Sequence, residues 1–494
     1  VGLSTLQRSL DTTPAADEPA ARRPTAAELL RRYPVLAVGV LLLGISTALV
    51  LWARTRPGFD PYGWLVWGHQ TISGSLDTNA APSWKPFPYV FAVPYALFGH
   101  YELWLWMITS VAVSLSGVVF AGAVAYRLTV DPADVGSIAT SPGGELAAPR
   151  RYAASVAAVV AGAALLGIAD YSHYILSYQS DPMIVALCLG AVYWHLSGRH
   201  RWAFVFGALA ALGRPEVWPF LAAYTVWAWR AVPSMRWLLA AGVVAVLLLW
   251  FGVPALTSRS PFVAASNAMG SGRRLHSNRV FGTIGRFVEL QEAGIWLAAL
   301  LAVGLAARRR ERTALALAAG VVAWVVIEVA FALHGWPGLG RYMFEAAGVA
   351  MALAGAAVGR VLVHAPAKFT WAGAAVAAAI VISLVPTAIS RARVEHRDLR
   401  VQRARTTQVN RLAGVVSRYG GPARFRPCGE PLTRLEYQTV LAWTLRRNVV
   451  RIGFKYGPAI RSRRPIVLFT PLSHGRWMVQ ALHQRSHACR MLPH

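Results

Sequence analysis

The sequence predicts a polytopic α-helical membrane protein that ends in a small α/β domain, and three observations predict it. Of its 494 residues, 55% are hydrophobic and only 14% charged, with 19 Trp, which is more apolar sequence than one soluble core absorbs. The apolar residues fall in long runs separated by short basic clusters, the pattern of membrane spans and their cytoplasmic loops. Beyond Ile389 hydrophobicity drops, Arg becomes frequent, and β-like stretches such as "PARFRPCGE", "VVRIGFK" and "PIVLFTP" alternate with helical ones. The formal net charge of +27 is carried in those clusters, so it implies anionic lipid and no nucleic acid as partner.

The apolar runs give about eleven spans: Val35–Trp52, Leu103–Tyr126, Tyr152–Ile168, Met183–Leu196, Trp202–Leu212, Val217–Trp229, Trp237–Leu256, Ile295–Ala307, Ala314–Leu333, Ala346–Val363 and Phe369–Ile389. Several are shorter than the roughly 20 residues that cross a bilayer core, notably the pair around Arg214-Pro215-Glu216. Placing the N-terminus in the cytoplasm puts Arg22, Arg23, Arg31, Arg32, Arg127, Arg150, Arg151, Arg199, Arg201, Arg230, Arg236, the run Arg308–Arg312 and Lys368 on that side, as the positive-inside rule asks. The chain thus divides into a disordered Ala/Pro-rich cytoplasmic tail (1–33), a transmembrane region (34–390) whose first external loop is 53–102, and an extracytoplasmic α/β domain (391–494). The Gly, Ser and Pro content of Val130–Pro149 marks a flexible cytoplasmic loop. Cys428 and Cys489 both fall in the last domain, where an oxidising compartment would allow a disulfide; two unrelated thiols are the alternative.

The orientation collects the polar residues of interest on the extracytoplasmic face. Within the first loop, Tyr62 to Ile72 is aromatic and amphipathic, as expected of a helix lying in the interface, and Asp60 sits at its start, where the helix dipole favours a carboxylate. Asp60 also fits a plain N-cap and Asp77 a plain turn former. Their company points further: two acids, then a Lys85-Pro86 step leading into an aromatic segment, "SWKPFPYV", bring together groups suited to a hydroxyl and an anionic headgroup. Arg273, Arg274 and Arg341 are the other external cations. Asp170, Tyr171, His173 and Asp181, around "YSHYILSYQS", offer carboxylate, imidazole and ring surface suited to a sugar, while an interfacial aromatic belt explains the tyrosines as well. Glu216 is expected to pair with Arg214 at the membrane edge. His69, His173 and His276 lack metal-site spacing, and a divalent cation on carboxylates such as Asp60 and Asp170 stays open as the hard-cation alternative.

The order of an acid, an interface helix, "KPFPYVFAVPYALFG" and an aromatic-led span resembles the first loop of GT-C-fold glycosyltransferases that use polyprenyl-phosphate sugars, the branch of dolichyl-phosphate-mannose protein mannosyltransferases and aminoarabinose transferases. That loop commonly reads Lys-Pro-Pro-Leu, where this chain has Lys85-Pro86-Phe87-Pro88. "SDPMIVALCLGAVYWHL" resembles the branch's acid-led helix, "FGALAALGRPEVWPFLAAY" its short helix pair and "GRYMFEAAGVAMALAG" its Arg-Tyr helix, so the likeness runs from about Val35 to Arg360.

The resemblance implies inverting transfer of a sugar from a polyprenyl-phosphate donor to an extracytoplasmic acceptor, an envelope glycan, lipid or protein. Asp60 becomes the candidate general base, Lys85, Arg273, Arg274 and Arg341 the candidate phosphate-binding cations, and Asp77, Asp170, Tyr171, His173, Asp181 and Tyr342 the candidate substrate contacts. Two other classes fit a multi-pass plasma-membrane chain. A transporter or flippase should show two similar halves with matching broken helices, and no such repeat is visible. A scaffold displaying a basic tail to an anionic polymer would not need eleven spans.

Overall fold

The computed structural model describes residues 34–130, 148–270, 275, 278–364, 370–484 and 489. The expected tail 1–33, most of the Val130–Pro149 loop, Lys368, Arg273, Arg274 and His276 lie outside the described residues.

The membrane region is built from α1 (Pro34–Ala53), the loop helix α2 (Phe59–Ile72), α3 (Pro86–Tyr95), α4 (Glu102–Thr129), α5 (Ala148–Leu166), α6 (Asp181–Leu196), α7 (His200–Gly213), α8 (Trp218–Ala231), α9 (Arg236–Leu247), α10 (Arg279–Val288), α11 (Ala293–Arg309), α12 (Arg312–Leu333) and α13 (Phe344–His364). Among the described residues, five helical segments are long and apolar enough to cross a bilayer, and a sixth counts if α10 and α11, bent by 94°, are one span. That is fewer than the eleven apolar runs of the sequence. α6 has 16 residues and α7 and α8 have 14 each, about 21–24 Å and short of the roughly 20 residues a span needs, so these runs are shorter pieces packed on their neighbours.

Small residues set the centre of the bundle. Gly355 and Gly359 on α13 form a Gly-x-x-x-Gly pair: a Cβ on Gly355 would meet Ala161 Cβ of α5 at 2.7 Å, and one on Gly359 would meet Thr129 of α4 at the same distance. Backbones can approach this closely only where side chains are absent, which is how helices gain packing energy inside lipid.

The last membrane helix does not stop where hydrophobicity falls. α14 (Thr370–Arg418) runs 49 residues, about 74 Å at 1.5 Å per residue, against a hydrocarbon core of about 30 Å. It is thus far longer than a bilayer core is thick, and its charged second half, from Arg391, delivers the chain to the C-terminal sheet. There β1 (Glu430–Thr433) pairs in parallel with β2 (Ile466–Pro471), which pairs antiparallel with β3 (Trp477–Leu482). Two of the expected strands are different. "PARFRPC" is a 3₁₀ turn, since Pro422 and Pro427 have no N–H to give a ladder, and "VVRIGFK" makes only one bridge, Gly453 to Leu432. Helix α15 (Gln438–Leu445) covers the sheet, and Cys428 is joined to Cys489 by a disulfide.

The loop helix α2 departs most from expectation. It does not lie in the lipid interface; nine of its fourteen residues are buried. Trp64, Leu65 and Trp67 pack into the membrane core, while Tyr62 and Val66 pack into the core of the C-terminal unit beside Leu412, Leu441 and Leu445. Both faces of the helix are covered, so its aromatic residues serve two cores and no bilayer surface.

Candidate active site

The site begins with how the start of α2 is held. Gly58 N–H donates to Ser177 O at 2.9 Å, Arg405 donates to Pro57 O at 2.6 Å, and Thr439 Oγ1 donates to Phe59 O at 2.6 Å. Contacts from the Ser177 loop, α14 and α15 thus fix the three residues before Asp60. Asp60 lies in the first turn of α2, and its carboxylate is 22% exposed. Lys85 precedes Pro86, which forces an extended backbone (φ −140°, ψ 113°) and ends the loop as α3 begins. Its ammonium lies 6.0 Å from the Trp64 ring centroid.

Asp181, at the first position of α6, is the hub. It is fully buried and accepts a charge-assisted hydrogen bond from Arg214. Lys85 Nζ lies 3.9 Å from one of its oxygens and Arg341 Nη1 3.9 Å from the other. Burial alone would raise the Asp181 carboxyl, but Lys85, Arg341 and Arg214 outweigh that and hold it well below the usual carboxylate range. Burial pushes the Lys85 ammonium below its ordinary value, opposed by Asp181 and by Asp60.

The three cations differ in what else they meet. Arg214, 3% exposed, also pairs with Glu345 at 3.0 Å and Glu216 at 3.7 Å and lies over the Tyr342 ring at 4.5 Å. It is enclosed by three carboxylates and offers almost no surface to a ligand. Arg341 lies 5.5 Å from the Tyr174 and Tyr342 ring centroids, and its Nη1 reaches Asp60 at 4.0 Å. Lys85 and Arg341 remain 17% and 14% exposed, so they are the two cations of the cluster with a face to offer a ligand.

Below the cluster, α6, α7, α8, α12 and α13 enclose a cavity of about 510 Å³ with an almost wholly apolar wall. Its upper end includes Trp324 and Glu345 and its lower end Leu196 and Arg312. Trp324 donates to Tyr342 O at 2.9 Å, and Glu345 binds Arg214, so the cavity ends against the residues that support Arg341.

Of the residues singled out from sequence, Asp60, Lys85, Asp181, Arg341 and Tyr342 come together here. The others do not. Asp77 accepts from Asn79 N–H at 2.9 Å and from its side-chain amide at 2.8 Å, which makes it a turn former. Tyr171 is fully buried against Phe344, with no surface for a substrate. His173 Nδ1 lies 2.9 Å from Asp398 of α14, with Gln402 bridging, so it ties the Tyr171–Leu176 helix to α14. Asp170 is exposed and left-handed (φ 61°), caps nothing with its side chain and lies outside the cluster. Among the described residues no three His, Cys, Asp or Glu side chains converge as a metal site requires. Sequence reasoning missed Glu345, which joins the cluster through Arg214, more than 100 positions away; its place in the first turn of a mostly apolar helix is the one local signal.

No family model and no curated protein matches the sequence. The crystal structure of ArnT from Cupriavidus metallidurans bound to undecaprenyl phosphate matches at 16% identity with a TM-score of 0.52, over 94% of this chain and 99% of that one. The apo structure of the same protein matches at 18% identity with a TM-score of 0.49, over 88% and 93%. The chain is a multi-pass membrane protein with the GT-C fold of ArnT, extending over the C-terminal unit as well as the bundle.

Proposed function

We propose that this protein is an integral-membrane glycosyltransferase that moves a sugar from a polyprenyl-phosphate donor to an envelope acceptor on the extracytoplasmic side. The observation that carries the reading is the convergence of Lys85 and Arg341, both still partly exposed, beside Asp60; a mostly apolar cavity ends behind them, at Trp324 and Glu345. The cavity suits an isoprenoid chain: its wall is apolar, and its volume is within the range of ligand pockets.

In this reading the acceptor hydroxyl oxygen attacks the anomeric carbon as the bond from that carbon to the phosphate oxygen breaks. The proton goes to Asp60, the bonding pair leaves with the polyprenyl phosphate, and the anomeric configuration inverts. Lys85 and Arg341 meet the charge that develops on the leaving phosphate, the arginine through a planar fork that matches phosphate oxygens. Arg214 and Asp181 hold the two cations in place and do not touch the donor. The basic loop clusters support a cytoplasmic N-terminus, which puts the site on the extracytoplasmic face.

The test is transfer of labelled sugar from a panel of synthetic polyprenyl-phosphate sugars to envelope extracts by the purified protein. Donor-dependent transfer that Asp60→Asn abolishes supports the reading. Equal transfer by both proteins removes Asp60 from the mechanism.

A further inference from the structure

A second cavity, of about 420 Å³, lies where α1 leaves the membrane, between α1, α4 and α14. It is separate from the donor cluster and is not needed by the transfer chemistry above. Three features make it a built site and not an incidental gap.

The first is depth. The first membrane span ends at Ala53, Trp52 beside it is 59% exposed in the manner of an interface anchor, and Arg54 follows directly. The cavity therefore opens at the level of lipid headgroups. The second is its two-part lining. Val50 and Met107 form an apolar floor, while Arg54 and Arg56 form a cationic rim, and among the described residues no carboxylate lines it. Arg56 is already positioned by neutral groups: its Nε donates to Asn410 Oδ1 at 3.1 Å, and its guanidinium lies 5.5 Å from the Trp104 ring centroid. Two guanidinium groups without a lining counter-ion leave a net positive cavity against hydrocarbon, which an anion would neutralise. The third feature is Thr406 of α14. It is 7% exposed, lines the cavity, and its hydroxyl has no hydrogen-bond partner among the described residues, although a buried hydroxyl without one is costly.

We propose that this cavity is a binding site for a phosphate-bearing amphiphile, its phosphate between Arg54 and Arg56, its oxygens within reach of Thr406, and its chains along the Val50–Met107 floor. Asp60 lies four positions beyond Arg56, at most ~14 Å of extended chain. A ligand here braces the segment that leads into α2 and the candidate base, the same segment that α14 holds through Arg405 and Pro57 O.

The experiment uses the full chain in nanodiscs of equal phosphatidylglycerol and phosphatidylcholine, with retained lipid counted by native mass spectrometry. The wild type is expected to retain phosphatidylglycerol in preference to phosphatidylcholine, and Arg54→Gln, Thr406→Val and Arg54→Gln/Arg56→Gln to lose that retention at least tenfold. Arg54 is exposed and Thr406→Val conserves shape, so these two variants keep the test valid if the double variant fails to fold. Equal retention of the two lipids, or retention unchanged in Arg54→Gln, would overturn the proposal. A second arm offers glycerol phosphate, the headgroup without chains, to protein in neutral-lipid nanodiscs. No capture supports an amphiphile, while capture at the same concentration assigns the cavity to free phosphate and overturns it. Neither arm requires transferase activity, so the outcome is independent of the donor reading.

Discussion

Replacing Asp181 by Asn removes the one carboxylate shared by Lys85, Arg214 and Arg341 while nearly conserving its shape. Breaking a buried charge cluster by deleting one partner costs about 3–5 kcal/mol. The structure says where that cost falls. Arg214 keeps Glu345 and Glu216, and Arg341 keeps Asp60 at 4.0 Å, but Lys85 has no second ion-pair partner among the described residues. Lys85 is also the one cation of the three able to shed its charge. Burial already lowers its ammonium from the ordinary 10.5, and without Asp181 it falls further. A base whose folded value lies below its unfolded one binds fewer protons folded than unfolded between those two values, so stability rises with pH across that window and is lowest below it. Because Lys85 is already lowered in the wild type, the Asp181→Asn deficit changes only between the variant's folded value and the wild type's. It is largest below that window and shrinks as pH rises through it, by up to about 1.4 kcal/mol per unit. The assay is the thermal unfolding midpoint in detergent, followed by tryptophan fluorescence from pH 6 to 10. Asp181→Asn/Lys85→Met should recover about half or more of the loss, roughly 2 kcal/mol. A deficit that is flat with pH and is not relieved by Lys85→Met would refute the assignment of the cost to Lys85.

Other predictions follow from the same geometry. Asp60→Asn should lower transfer by about 10²–10⁴ without weakening donor binding, read from kcat and from donor Kd. Arg341→Lys should lose about 10²–10³ in kcat despite keeping the charge, because the planar fork is lost; full activity would remove the bidentate role. Gly68→Ala should uncouple α2 from α3, since a Cβ there would overlap the Ala92 carbonyl, and its activity loss should come with a lowered unfolding temperature. Cys428→Ser should destabilise the C-terminal unit by about 4 kcal/mol on the chain-entropy model for a separation of 61 residues, read as protease sensitivity of the sheet with the bundle intact.

The parts of this fold legible in sequence were those fixed by local physics. Long apolar runs and basic loops marked the membrane region, and the Lys85-Pro86 step marked the end of the loop, because proline disfavours a helical conformation in the residue before it and favours itself at a helix start. Asp60, Asp181 and Arg341 stood out as charges near apolar helix starts. What was not legible was set by distant partners. The amphipathic pattern of α2 reads as an interface helix because the residues that cover its Tyr62–Val66 face, Leu412, Leu441 and Leu445, lie more than 300 positions away. Tyr171 and Tyr342 look equivalent on paper; one is lost in the core beside Phe344, and the other faces Arg214 and Arg341. Arg214 suggested only its neighbour Glu216, whereas its tightest contacts are to Asp181 and Glu345, on two other helices.

The central claim is that Lys85 and Arg341 hold the phosphate of a polyprenyl donor, and binding tests it without needing the acceptor. Undecaprenyl phosphate should bind the purified wild type saturably, Lys85→Met and Arg341→Met should each weaken it at least tenfold, and undecaprenol, which lacks the phosphate, should bind no better to wild type than to the variants. Equal affinity of the wild type for the alcohol and the phosphate, or undiminished phosphate binding in both variants, would contradict the account.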